Sequence, residues 1–219
     1  MEIKASQVKE LRDMSGVAMM DCKKALVECE GNIEKALDLL RSNSSLKAEK
    51  KASRVAADGV IRIIASDNYA TIIEINSETA FAAKDAGFIA FADEVATFIT
   101  NNKMNNAEEF LNTEIEEKRL SLVQTIGENI QLRRIETIDF NSFMCVGSYI
   151  HSDGKLATLV VTDSSEAELA KDIAMHIAAS NPLCKSPEDI DDKVLEREKA
   201  IFETQARESG KDESIMEKM

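Results

Sequence analysis

Apolar positions in the first 45 residues recur at helical spacing in three short runs. Val8, Leu11 and Met14 form the first, and the stretch SGVAMMD interrupts it. Met19, Met20, Lys23 and Lys24 open a second helix, whose apolar face carries Ala25, Leu26 and Cys29. Ile33, Ala36, Leu37 and Leu40 make the third stripe. Between the last two, Gly31 is placed to end one helix and Asn32 to cap the next. Residues 1–45 are therefore expected to be a small helical bundle, serving either simple packing or docking, with 46–58 a basic linker or a solvated helical face.

The period then changes. GVIRIIAS and YATIIEIN are β-branched runs separated by Asp67-Asn68, a hairpin signal. Phe88, Phe91, Ala92, Val95, Phe98 and Ile99 return to helical rhythm behind Asp85, a candidate N-cap. A further helix over TEIEEKRLSLVQTIG, ending near Gly127, leads into the strand pattern IQLRRIETIDF. The plan then repeats: FMCVGSYIH and KLATLVVT flank Ser152-Asp153-Gly154, and SEAELAKDIAMHIAAS follows as helix. The expected fold class is α+β: a three-helix bundle, then two similar antiparallel hairpin-plus-helix subdomains at 59–141 and 142–185.

Residues 186–219 read as a projecting helical, coiled-coil arm. Ser186 caps it, Pro187 takes the first helical position, and Ile190, Val194, Ile201 and Phe202 form a thin apolar stripe. A new helix signal starts at Asp212 and stops at Met219, so the arm reads as cut short within an element.

Composition narrows the function. The formal net charge of −13 argues against general nucleic-acid binding, which needs cations to neutralise phosphates. No apolar run reaches bilayer length, and the start MEIKASQVKELRDMSG lacks a signal-peptide layout, so a cytoplasmic protein is expected. Cys22, Cys29, Cys145 and Cys184 form no CxxC pair and read as reduced, mostly buried thiols. The chain has no phosphate-cradling glycine loop, nucleophile elbow or HExxH motif. His176 shares a helical face with Ile173 and Ile177 and is expected in a core; His151 closes a strand beside a turn and is expected at the surface. No enzyme, metal or cofactor is expected.

VKELRDMSGVAMMDCKKALVECEGNIEKALDLLR followed by KAEKKASRVAADG closely resembles the amino-terminal signature of bacterial translation elongation factor Ts. DAGFIAFADEV, IGENIQLRR and DIAMHIAASNP resemble further family segments in the same order. The resemblance covers essentially the whole chain. It implies a guanine-nucleotide exchange factor that binds elongation factor Tu in its GDP-bound and nucleotide-free forms, without direct nucleic-acid or membrane contact.

The family's working motif, Thr-Asp-Phe-Val, corresponds to Thr79, Ala80, Phe81 and Ala82, so aspartate and valine are both alanine here. The resemblance implies that this segment is pushed into the partner's G domain and disturbs the surroundings of the nucleotide's Mg²⁺. On periodicity alone Phe81 is open between an exposed wedge and the first rung of the next helix, since Phe88 lies seven residues on. The same carry-over places Ile126 and Gly127 near that G-domain surface and His151 against another partner domain. It makes Lys9, Leu11, Arg12, Met19 and Met20 the amino-terminal docking surface, with one of the two methionines expected in the bundle core. The two alanines also leave a second reading: a binding module that stabilises the partner with weak or no exchange.

Overall fold

The structure, a computed structural model, describes residues 3–208. It is a mixed α+β arrangement of amino-terminal helices followed by antiparallel hairpins with helices. The described residues divide after Ala178 into two units.

The first unit opens with α1 (Ala5–Ser15), α2 (Met19–Glu28) and α3 (Ile33–Ala52). Each boundary has a local cause. Gly16 ends α1 at φ +67, its N–H donating to the Arg12 carbonyl at 2.8 Å. Asn32 caps α3 by accepting from the Lys35 N–H at 3.0 Å. Val8, Leu11, Val17, Cys22, Ala25, Leu26, Ala36 and Leu40 close the bundle core.

Of the two readings of 46–58, linker or helical face, the helical one holds as far as Ala52, where α3 ends. The segment is rich in strong helix formers. Leu40, Ser44 and Ala48 keep one buried face at four-residue spacing, and Ala48 packs into the main core beyond the bundle. Lys47 also pairs with Asp21 of α2 at 2.8 Å.

Strands β1 (Asp58–Ala65), β2 (Tyr69–Ser77) and β3 (Ile130–Asp139) form an antiparallel sheet in that order, with a register shift between Glu74 and Ile75. Between β2 and β3 come α4 (Ala86–Asn101), the single turn α5 (Ala107–Phe110) and α6 (Glu114–Ile126). The α4 stripe Phe88, Phe91, Ala92, Val95 and Ile99 shares one buried cluster with Val60, Ile73 and Ile75 of the sheet and Ile115 and Val123 of α6. Gly59 lets β1 approach β2 closely, because a Cβ there would lie 2.1 Å from the Ile75 carbonyl oxygen.

A second hairpin, β4 (Cys145–Ile150) and β5 (Ala157–Thr162), is followed by α7 (Ala167–Ser180). Gly147 sits directly under Ala170, where a Cβ would meet the helix carbonyl oxygen at 2.0 Å. The hairpin turn is tied back to β1: the Ile61 N–H donates to the Gly154 carbonyl at 2.8 Å, and Lys155 pairs with Asp58 at 2.5 Å. His176 is exposed rather than core. The buried face of α7 is Ala170 and Ala174, and a residue two positions on from Ala174 points well away from that face.

In the second unit, Ser186 and Asp189 close a capping box over a 3₁₀ turn, Pro187–Asp189. The helix expected to run on from Pro187 instead stops at that turn. Asp191 then accepts from the Lys193 N–H at 2.8 Å and starts α8 (Asp192–Glu208) afresh. The helix signal at Asp212 lies outside the described residues.

Candidate partner-binding site

β2 ends at Ser77, and the chain then makes a tight turn before α4. The Ala83 N–H donates to the Thr79 carbonyl at 3.1 Å and the Lys84 N–H to the Phe81 carbonyl at 3.2 Å. Ala82 and Ala83 are small enough to sink this 3₁₀ turn (Ala82–Lys84) against β1 and β2, and both are buried. Asp85 then caps α4 by accepting from Gly87 and Phe88. With its two successors buried, Phe81 is turned outward and stands 90 % exposed. An aromatic ring so displayed forgoes about 1.5–3 kcal/mol of burial. Phe81 is therefore an exposed residue of the turn and not the first rung of the α4 stripe.

The turn is seated on the loop after α6. The Thr79 N–H and Oγ1 both donate to the Glu128 carboxylate, at 2.9 and 2.7 Å. In the opposite sense, the Asn129 N–H donates to Glu78 Oε1 at 2.6 Å. Asn129 Nδ2 donates to the Arg54 carbonyl at 2.9 Å, bringing in the end of α3. Gly127 makes the loop possible: it terminates α6 at φ +87, and its N–H donates to the Val123 carbonyl at 3.0 Å. Lys51 lies alongside, its Nζ 3.8 Å from where a Gly127 Cβ would stand. Burial and the neighbouring Arg54 hold the Lys51 ammonium below the usual lysine range, with Glu78 opposing.

Thr79, Ala80 and Phe81 are thus brought together with Ile126 and Gly127. Ile126 is half-buried and packs on the main core, and Gly127 beside it is half-buried as well. Ala82 is buried and is turn packing rather than contact surface.

On the bundle, Lys9 and Arg12 are exposed on α1, and Met19 and Met20 are exposed at the start of α2, at 44 % and 65 %. The expectation that one methionine would be core is corrected: Val17 and Cys22 fill that space. Leu11 is corrected too, being fully buried in the bundle core and unable to act as docking surface.

His151 is exposed in the β4–β5 turn, its Nδ1 3.1 Å from Asp153 Oδ1 and its ring edge-on to Tyr149. The backbone N–H of Lys155, then His151, hold the Asp153 carboxyl below the usual range. Among the described residues no three His, Cys, Asp or Glu side chains group as metal ligands, and no helix is long and apolar enough to cross a membrane.

Sequence reasoning missed Glu78, Glu128, Asn129 and Arg54. Their signal was faint, since a charged or amide residue at a loop edge is most often a solvated one.

Residues 78–219 match the family described as Elongation factor TS. The chain is 48 % identical to elongation factor Ts of Hahella chejuensis over 219 residues, covering 99 % of this chain and 76 % of that protein. It is 46 % identical to elongation factor Ts of Saccharophagus degradans, covering 100 % and 76 % of the two chains. With elongation factor Ts of Escherichia coli the identity is 46 %, covering 100 % and 75 %.

Proposed function

Because the chain belongs to the elongation factor Ts family, we propose that it is a cytoplasmic partner factor of elongation factor Tu that promotes GDP release and catalyses no chemical reaction of its own. The observation that carries this reading is Phe81, an almost fully exposed aromatic on a braced turn.

The physical argument runs through the partner's metal. Mg²⁺ demands near-ideal octahedral oxygen coordination, so a small displacement of its surroundings weakens it. Losing the ion removes charge compensation from the nucleotide phosphates. Coupling is reciprocal: the factor weakens nucleotide binding as much as nucleotide weakens the factor's binding. Burial of the Phe81 ring in the partner supplies roughly 2–3 kcal/mol toward that exchange of occupants. Met19 and Met20, with Lys9 and Arg12, provide a second docking surface, and flexible thioethers suit one. In the same reading α8 is the first helix of a coiled-coil arm, where a second helix would cover Val194, Ile201 and Phe202.

Stopped-flow release of a fluorescent GDP from elongation factor Tu tests the proposal. The chain accelerates release and Phe81→Ala removes most but not all of the acceleration; equal release with and without the chain overturns it. The second reading, a stabiliser with little exchange, is favoured by Ala80, which stands half-buried beside Phe81 where the family motif has aspartate. Binding without faster release, restored by Ala80→Asp, would establish that reading instead.

A further inference from the structure

We propose that Glu128 is the positioning residue for Phe81. The inference rests on the exchange reading for its kinetic consequence.

The two segments clamp each other. The Glu128 carboxylate accepts from the Thr79 backbone N–H at 2.9 Å, and the Glu78 carboxylate accepts from the Asn129 backbone N–H at 2.6 Å. Neighbouring residues on one strand of chain thus exchange carboxylate-to-amide bonds with neighbouring residues on the other. Charge-assisted bonds of this kind are the shorter and stronger class. Glu128 makes a further bond to Thr79 Oγ1 at 2.7 Å, so it grips one residue with both oxygens.

Thr79 is the hub through which that grip reaches Phe81. Its carbonyl accepts from the Ala83 N–H at 3.1 Å and from Ser77 Oγ at 3.1 Å, and its Oγ1 accepts from the Ala82 N–H at 3.3 Å. The Phe81 ring, by contrast, is exposed, and its carbonyl is bonded only locally, to Lys84. The direction in which the ring is displayed is therefore set by the turn, and the turn is set by Thr79 on Glu128.

Glu128 is itself held. It follows the left-handed Gly127, and Asn129 on its other side is pinned by Glu78 and by the carbonyls of Arg54 and Ala52.

The test is a double-mutant cycle with Glu128→Ala and Phe81→Ala, read on the maximal GDP release rate and on the factor concentration at half-maximum. Glu128→Ala lowers the maximal rate about tenfold, with a smaller change in half-saturation, when the strength of charged hydrogen bonds is taken as the guide. Glu128→Gln, which keeps one acceptor oxygen at the same reach but loses the charge and the second acceptor, recovers only part of the rate. In the Phe81→Ala background neither change has any further effect. An equal drop in both backgrounds, or no drop in either, overturns the proposal. If the unsubstituted chain does not accelerate release, the exchange reading falls. The cycle is then read on the dissociation constant for the partner, where additive effects overturn the positioning role and non-additive effects uphold it. Melting curves accompany each variant, and Glu128→Gln carries the cycle should Glu128→Ala unfold.

Discussion

Phe81 and Phe88, seven residues apart, occupy opposite extremes of the fold: the first is 90 % exposed and the second fully buried. A straight helix would have put them on one face. The 3₁₀ turn over Ala82–Lys84 and the fresh cap at Asp85 break the rhythm between them.

Stability should separate the two. Phe88→Ala removes a ring from the centre of the main cluster and costs about 3–5 kcal/mol. Phe81→Ala stays within about 0.5 kcal/mol of the parent. Urea unfolding of both variants checks this; comparable losses would mean that Phe81 is packed in solution.

Leu11 and Met20 make a similar pair on the bundle. Leu11→Ala costs about 2–5 kcal/mol of folding stability through the cavity it leaves. Met20→Ala changes stability little and weakens affinity for elongation factor Tu by about 1 kcal/mol. Calorimetric titration alongside thermal melting distinguishes a core residue from a docking one.

Gly147→Ala should loosen the second hairpin from α7. The added methyl would stand 2.0 Å from the Ala170 carbonyl oxygen, and backbone cannot yield as a side chain can. The expected penalty is about 1–3 kcal/mol, visible as faster amide exchange in β4 and β5.

Glu74 gives the fold a pH dependence. Burial alone would raise its pKa, but hydrogen bonds from Arg133, Asn76 and Arg134 outweigh it and hold the carboxyl below the ordinary 4.5. A depressed folded pKa means that the stabilisation is complete above the unfolded value. It is lost as pH falls from there through the folded one. Glu74→Gln therefore flattens the fall in melting temperature below pH 4.5, and an unchanged acid limb would contradict the assignment.

Much of this was legible from local chemistry. Asn32 and Asp85 cap as their side chains predict, and the Phe88–Ile99 stripe and both hairpins follow from period. What escaped was set by tertiary packing. The α3 extension depends on Ala48 finding a core outside its own bundle, which alternation within 46–58 does not announce. Met19 and Met20 look apolar enough for a core, but Val17 and Cys22 had already filled it. At the site, the motif marked Phe81, while Glu128 became visible only when a loop 49 residues away was folded against Thr79.

The continuous run of α3 to Ala52 changes how the two exposed surfaces act together. A flexible tether would let the bundle wander, and a second contact would then form at a concentration diluted by the volume the tether sweeps. A 20-residue helix spans about 30 Å without bending freely. Its end is fastened to Asn129 through the carbonyls of Ala52 and Arg54. The bundle and the Phe81 turn are therefore joined by a strut rather than a tether, and the distance between them is set by the length of α3.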